Sequence, residues 1–191
     1  KAKIEAELSE VQPLIDEAKE AIGGIKTSSL NEIRALRAPP EVIRDILEGV
    51  LKLMGNDDTS WTGMKQFLGK RGVKDDIREF DARNTPPSSR EAVEALMIKK
   101  AKSFQADVAK RASVVAAPLA AWVTANVQYA AVLERIAPLE QEEQKLLRGL
   151  RAAELQVEKL GSGIATVEER VAVLRGEFEQ KTSEAARLEN R

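Results

Sequence analysis

Near both ends of the chain, apolar residues recur at alternating steps of four and three. Ile4, Leu8, Val11, Ile15, Ala18, Ile22 and Ile25 form the first seam. A second, longer one runs through Tyr129, Val132, Ile136, Leu139, Leu146, Leu150, Ala153, Val157, Leu160, Ile164, Val167, Val171, Leu174, Phe178, Ala185 and Leu188, with Glu143 and Lys181 as its polar members. This heptad spacing predicts coiled-coil helices, because 3.5 residues per repeat keeps one stripe facing a partner. At ~1.5 Å per residue the second helix would be roughly 90 Å long, beyond the reach of an ordinary globular domain. Two seams flanking a differently patterned middle predict an antiparallel hairpin with the middle folded at its tip.

Setting Ile25 opposite Asn126 brings Ile15 near Ile136 and Ile4 near Leu147, and puts Pro13 level with Pro138. A proline inside a helix costs ~3 kcal/mol, so two at one height are expected to mark a bend in the stalk, unless they are unrelated irregularities. In this register the first helix is used up near residue 150. The apolar stripe over 151–191 then needs a partner, either a missing part of the stalk or a second copy of the chain. The first residue is Lys rather than Met, so a fragment of a longer protein is expected.

The middle reads as short helices. "SSLNE" offers a capping box from Ser29 to Glu32, and "APPEVIRDILEGVLKLMG" starts a helix at Pro40 and stops it at Gly55. Further helices are expected over "SWTGMKQFL", capped by Thr59 or Ser60, over "VKDDIREFD", and over "TPPSSREAVEALMIKKAK". One continuous last helix is expected to begin at Asp107–Arg111, cross the core over Val114–Val123 with Trp122 as its main filler, and enter the coiled coil at Tyr129. Strand patterns are absent. The expected fold is all-α: an antiparallel coiled-coil stalk capped by a bundle of about six short helices. Residues 1–27 form the first stalk helix, 28–125 the globular part, and 126–191 the second stalk helix.

Composition narrows the chemistry. The chain has neither cysteine nor histidine, so disulfides, thiolate chemistry and the commonest general base and metal ligand are excluded. No metal site is expected. "GMKQFLGKR" falls short of a phosphate-binding loop, because five residues separate Gly63 from Gly69 and Arg71 stands where a magnesium-binding hydroxyl belongs. "GNDDTSW" lacks the glycine and terminal glutamate of an EF-hand. No enzyme site is therefore expected, and no cofactor. No apolar run is long enough to span a membrane.

With 30 basic against 31 acidic residues, no global field draws the chain to a polyanion, and any charged partner must meet a local patch. Two patches exist: Lys65, Lys70, Arg71 and Lys74, and Lys99, Lys100, Lys102, Lys110 and Arg111. Such runs also form plain solvated helix faces. Read functionally, they are docking surfaces for an acidic protein. Nucleic acid is not expected, since Trp61 and Trp122 sit in apolar patterns that predict burial rather than base stacking.

"SLNEIRALRAPPEVIRDILEGVLKLMG", "DTSWTGMKQFLGKRGVKDDIREFDARN", "KRASVVAAPLAAWVTANVQYAAVLERIAPLE" and the proline in "VQPLIDEAKEAI" resemble the stalk and microtubule-binding domain of dynein heavy chains. In detail they are most similar to the cytoplasmic dynein of intraflagellar transport. The resemblance implies a helical tip that binds α/β-tubulin in microtubules, on a stalk projecting from an AAA+ motor ring that uses ATP and Mg. It further implies a minus-end-directed motor whose affinity is set by sliding of the stalk helices, and a place in the cytoplasm, the cytoskeleton, and the cilium axoneme and base. The family's tubulin-contacting positions fall on Lys26, Lys70, Asp107 and Arg111. Lys110, Arg71 and Lys74 join them by charge and location. Where some relatives carry a second lysine, this chain has Thr27. A different class of function, a structural coiled-coil scaffold whose basic tip binds another acidic protein, fits the same composition.

Overall fold

A computed structural model describes residues 2–189, which are mostly helical with no strand among them. The helices are α1 (Ala2–Gly23), α2 (Thr27–Arg34), α3 (Glu41–Leu53), α4 (Trp61–Gly69), α5 (Val73–Glu79), α6 (Pro87–Lys99), α7 (Ala106–Ala112) and α8 (Ala116–Glu189). Two 3₁₀ turns, Ala82–Asn84 and Ala101–Phe104, flank α6. Six short α-helices thus lie between the two long-seam helices, in keeping with the all-α bundle expected.

Local chemistry sets most of these boundaries. Pro40 precedes α3 with extended backbone, and Gly55 follows it in the left-handed region at φ 79°. That conformation suits a residue without a Cβ. Ser60 caps α4 by accepting a hydrogen bond from the Gly63 amide, satisfying one of the helix's orphan donors. Pro87 occupies the first position of α6, where a missing N–H costs nothing. The capping box at Ser29 does not form. Instead α2 starts at Thr27 with Lys26 as its cap and no side-chain bond, because α1 ends at Gly23 and the buried Ile25 draws the chain straight into the next helix.

The described residues divide into two compact units between Glu140 and Gln141. In the first, one core cluster gathers Ile15, Ala18, Ile22 and Ile25 from α1 and its exit, the inner faces of α2 to α7, and residues from Val115 to Val127 around the start of α8. Trp122 is 0% exposed, and its ring meets Phe80 at 5.6 Å between centroids, tilted by 58°. A smaller cluster, Ile4, Val11, Val132 and Ile136 with Leu8, Leu133 and Leu139 beside it, binds α1 to α8 farther along.

The register of that pair differs from the one expected. Arg135 bonds Glu7 at 3.0 Å, which levels Ile4 with Pro138 and Pro13 with Tyr129 when the two antiparallel helices are counted outward from it. Pro13 and Pro138 are therefore not at one height; nine residues, about 13 Å of helix, separate their levels. Ile15 belongs to the large core and Ile136 to the small cluster, and Leu147, expected against Ile4, is 55% exposed. Heptad spacing names the buried face of a helix but not its longitudinal position. Here the tip core sets that position, by claiming Ile15–Ile22 together with Ala116–Val127. As a result α1 is used up near residue 140 rather than 150.

A second difference lies between α7 and α8. Ser113 is extended at φ −166° and ψ 150°, and its Oγ accepts from the Val115 amide. The single helix expected from Asp107 onward is therefore two. Pro118 causes no kink, because it lies in the first turn of α8, where the amide it lacks would have had no helical partner.

The second unit, described on its own, is helical to Glu189, and every residue from Gln144 to Glu189 is exposed. Leu146, Leu150, Val157, Leu160, Ile164, Val167, Val171, Leu174, Phe178 and Leu188 are bare along it.

Candidate functional site

Of the seven charged residues singled out in the sequence, all but Lys74 are exposed, and their partners differ. Lys26 caps α2 through its backbone and leaves its side chain in solvent. Lys70 ends α4 and pairs with Asp76 of α5 at 2.8 Å, while Arg71 follows it in the turn. Lys74 is half-buried: its Nζ donates to the Ile25 carbonyl at 2.7 Å. It holds a carbonyl at the exit of α1 and so ties α5 to that turn, rather than standing free on the surface as its charge suggested. On α7, Arg111 bonds Asp107 at 3.5 Å one turn away, and Lys110 is exposed beside it.

Packing draws these residues into two neighbouring groups. A Cβ at Gly69 would stand 2.5 Å from Arg34 Nη2, so the bare glycine leaves room for the guanidinium at the C-terminal end of α2. The Lys74 bond sets α5 beside Lys26 at the start of α2, and Lys70, at the end of α4, pairs with Asp76 on the same helix α5. The α7–α8 turn lies across from Lys26: Val114, Val115 and Pro118 share a groove of about 380 Å³ with Ala21, Gly24, Ile25, Lys26 and Ser29. The groove is the place where the α7 group adjoins the Lys26 edge.

A polar cluster beneath α7 was not legible as a site. Asp45 of α3 is 4% exposed and accepts a 2.6 Å hydrogen bond from Ser103 Oγ, itself buried in the 3₁₀ turn just before α7. Lys100 bonds Glu41 and lies 3.9 Å from Asp45. The hydrogen bond from Lys100 lowers the pKa of Glu41 from the usual carboxylate range, and the same bond raises that of Lys100. Phe104 adds an apolar clamp, since a Cβ at Gly49 would stand 3.3 Å from its ring. An acid on the otherwise apolar face of α3 was the available sequence signal. Its partner, 58 residues away, carried none.

Away from this face, Arg90 of α6 pairs with Glu134 of α8, and a hydrogen bond with Tyr129 raises the pKa of Arg83. These contacts attach the α6 side of the tip to α8. Trp61 is only half-buried, with its indole donating to the Leu36 carbonyl and Lys65 over its ring at 5.7 Å. Among the described residues, no group of three or more His, Cys, Asp or Glu is placed to hold a metal, and no helix is long and apolar enough to cross a membrane.

The family described as "Microtubule-binding stalk of dynein motor" matches residues 1–190. The chain belongs to this dynein stalk family. It is 58% identical over 189 residues to rat cytoplasmic dynein 2 heavy chain 1, a match covering 99% of this chain and 4% of that protein. The human protein of the same name is 57% identical over 177 residues, covering 93% of this chain and 4% of its own length. A Dictyostelium discoideum cytoplasmic dynein heavy chain is 29% identical over 199 residues, again 4% of its length. The chain thus spans only a small part of these dynein relatives. Among solved structures, a microtubule-binding domain of dynein-c superposes with a TM-score of 0.60 at 26% identity, over 71% of this chain and 94% of that one. The dynein fold and the helical tip described above therefore agree.

Proposed function

We propose that the α2–α7 tip binds microtubules for a ciliary, minus-end-directed dynein of the intraflagellar-transport type, its cations meeting the acidic surface of α/β-tubulin. The observation that carries this reading is the placement of Lys26, Lys70 and Arg111, exposed, around the ends of short helices in a chain of the dynein stalk family. Asp107 orients Arg111 from one turn away. Lys70 is shared with Asp76, so tubulin must compete for it. Partly exposed pairs of this kind contribute about 0.2–1 kcal/mol each, which makes the bond salt-sensitive and easily tuned. ATP and Mg act elsewhere in the parent heavy chain, in its motor ring, and this segment performs no catalysis of its own. The natural setting is the cytoplasm, the axoneme and the ciliary base.

Reversing charge in Arg111→Glu or Lys70→Glu is expected to weaken cosedimentation with microtubules about two- to tenfold while leaving helical circular dichroism unchanged. A scaffold that binds some other acidic protein would show no microtubule pelleting at any salt concentration.

Affinity is set, in this reading, by displacement of α1 along α8. Arg90 attaches the tip to α8 through Glu134, whereas Lys74 is the polar link from α5 to the exit of α1. Pro13 and Pro138, each lacking an amide donor inside its helix, are the points where the two stalk helices bend most readily. The bare stripe beyond Glu140 pairs with a preceding part of the same stalk in the parent chain, and a second copy is the other outcome. Disulfide locks test both points: one joins positions 7 and 135 in the register seen, the other joins position 7 to a residue half a heptad away. The two locks should give different microtubule affinities on chains that sediment as monomers. Equal affinities would remove the sliding mechanism, and dimers would assign the stripe to a second copy.

A further inference from the structure

We infer that the groove between the α1–α2 turn and the α7–α8 turn is a docking site for an apolar side chain carried on an acidic protein surface, with Val114 at its mouth. The inference deepens the microtubule-binding reading and rests on it. Val114 is 71% exposed, while its neighbour Val115 is buried in the core. A single exposed valine is unremarkable by itself. What sets this one apart is its company. Ala21 and Ile25 from the α1 side and Pro118 from α8 share the groove with it, and its rim carries the exposed Lys26. Lys110 and Arg111 lie four and three residues before Val114 on α7.

An apolar floor with Lys26 at its rim, and Lys110 and Arg111 on the helix that leads into its far wall, is complementary to an apolar side chain surrounded by carboxylates. Such an occupant would lose water from its apolar surface and meet opposite charge at its edge. Cations alone attract any polyanion, whereas a cavity of fixed shape rejects surfaces that cannot fill it, so the groove supplies selectivity that charge does not. Its two walls also come from different helices. Ala21 and Gly24 belong to α1 and its exit, Val115 and Pro118 to the start of α8 and the turn before it. Axial displacement of α1 against α8 changes the width of the groove, so occupancy reports the stalk register directly. The Lys74–Ile25 bond holds the wall on the α1 side.

The test is Val114→Ser, with Ile98→Ser as a control at a position that is 80% exposed and outside the groove. Both substitutions lie on the surface, and thermal melts should be nearly unchanged. Microtubule cosedimentation across a salt series should show V114S weaker by about two- to fivefold at every salt concentration, with the salt slope of the wild-type chain. Arg111→Ala should instead flatten the slope. Binding to polyglutamate, an acidic partner with no apolar side chain, should be unaffected by V114S. The inference is overturned if V114S binds microtubules like the wild-type chain or I98S, or if it weakens polyglutamate binding equally. Should the wild-type chain fail to pellet with microtubules at any salt concentration, the broader reading falls and takes this one with it.

Discussion

Trp122→Ala is expected to destabilise the tip by about 3–5 kcal/mol, the cost of removing a large buried ring and leaving a cavity in a core that cannot fully close. The ring is fully enclosed, packs against Phe80, and sits on the first turns of α8 where elements from both ends of the chain converge. Thermal unfolding followed by circular dichroism should show a much lower midpoint for the tip transition, and microtubule binding should fall with it. Trp122→Phe should be far milder. The indole Nε1–H is buried without a hydrogen-bond partner, so losing it removes an unsatisfied donor along with some volume. If the two variants melted together, the ring's volume would not be what holds the tip.

The second large effect concerns a residue that touches nothing outside the molecule. Ser103→Ala should cost about 1.5–3 kcal/mol, the range for a hydrogen bond to a charged group, because it leaves the buried Asp45 carboxylate without its hydroxyl donor. Lys100, at 3.9 Å and shared with Glu41, compensates only in part. The consequence reaches function through α7, which starts directly after the turn that Ser103 and Phe104 pin to α3. In microtubule binding, Arg111→Ala should therefore lose most of its effect in the Ser103→Ala background, while Lys70→Ala keeps its own. Ser103→Thr, which restores a hydroxyl, should recover part of the loss. A cycle in which Ser103 and Arg111 contribute additively would show that the cluster supports stability alone.

The sequence reveals faces more clearly than positions. Ile4, Val11, Ile15, Ala18 and Ile22 announce a buried stripe by their spacing, and all five are buried. Their level along α8 could not be read in the same way, because sliding one heptad helix past another preserves the apolar match while changing every neighbour. Only the tip core, assembled from residues more than 90 apart, selects the level at which Glu7 meets Arg135. Likewise Lys74 looked like its basic neighbours until an acceptor 49 residues away gave it a structural task. Lys26, Lys70 and Arg111 follow from the family resemblance, and only Lys110, Arg71 and Lys74 from charge and location, which are local properties; all of them but Lys74 are exposed. Asp45–Ser103 and the Val114 groove were not legible, because both depend on which distant turns come together.

The interruption at Ser113 has a mechanical meaning. A rod running unbroken from Asp107 into α8 would turn and travel as one body, so any stalk movement would swing the guanidinium of Arg111 with it. An extended residue at that point removes the continuous helical backbone that would make the two segments one rod. In the sliding reading proposed above, the aim of Arg111 would then follow the tip to which α7 is pinned rather than the axial travel of α8.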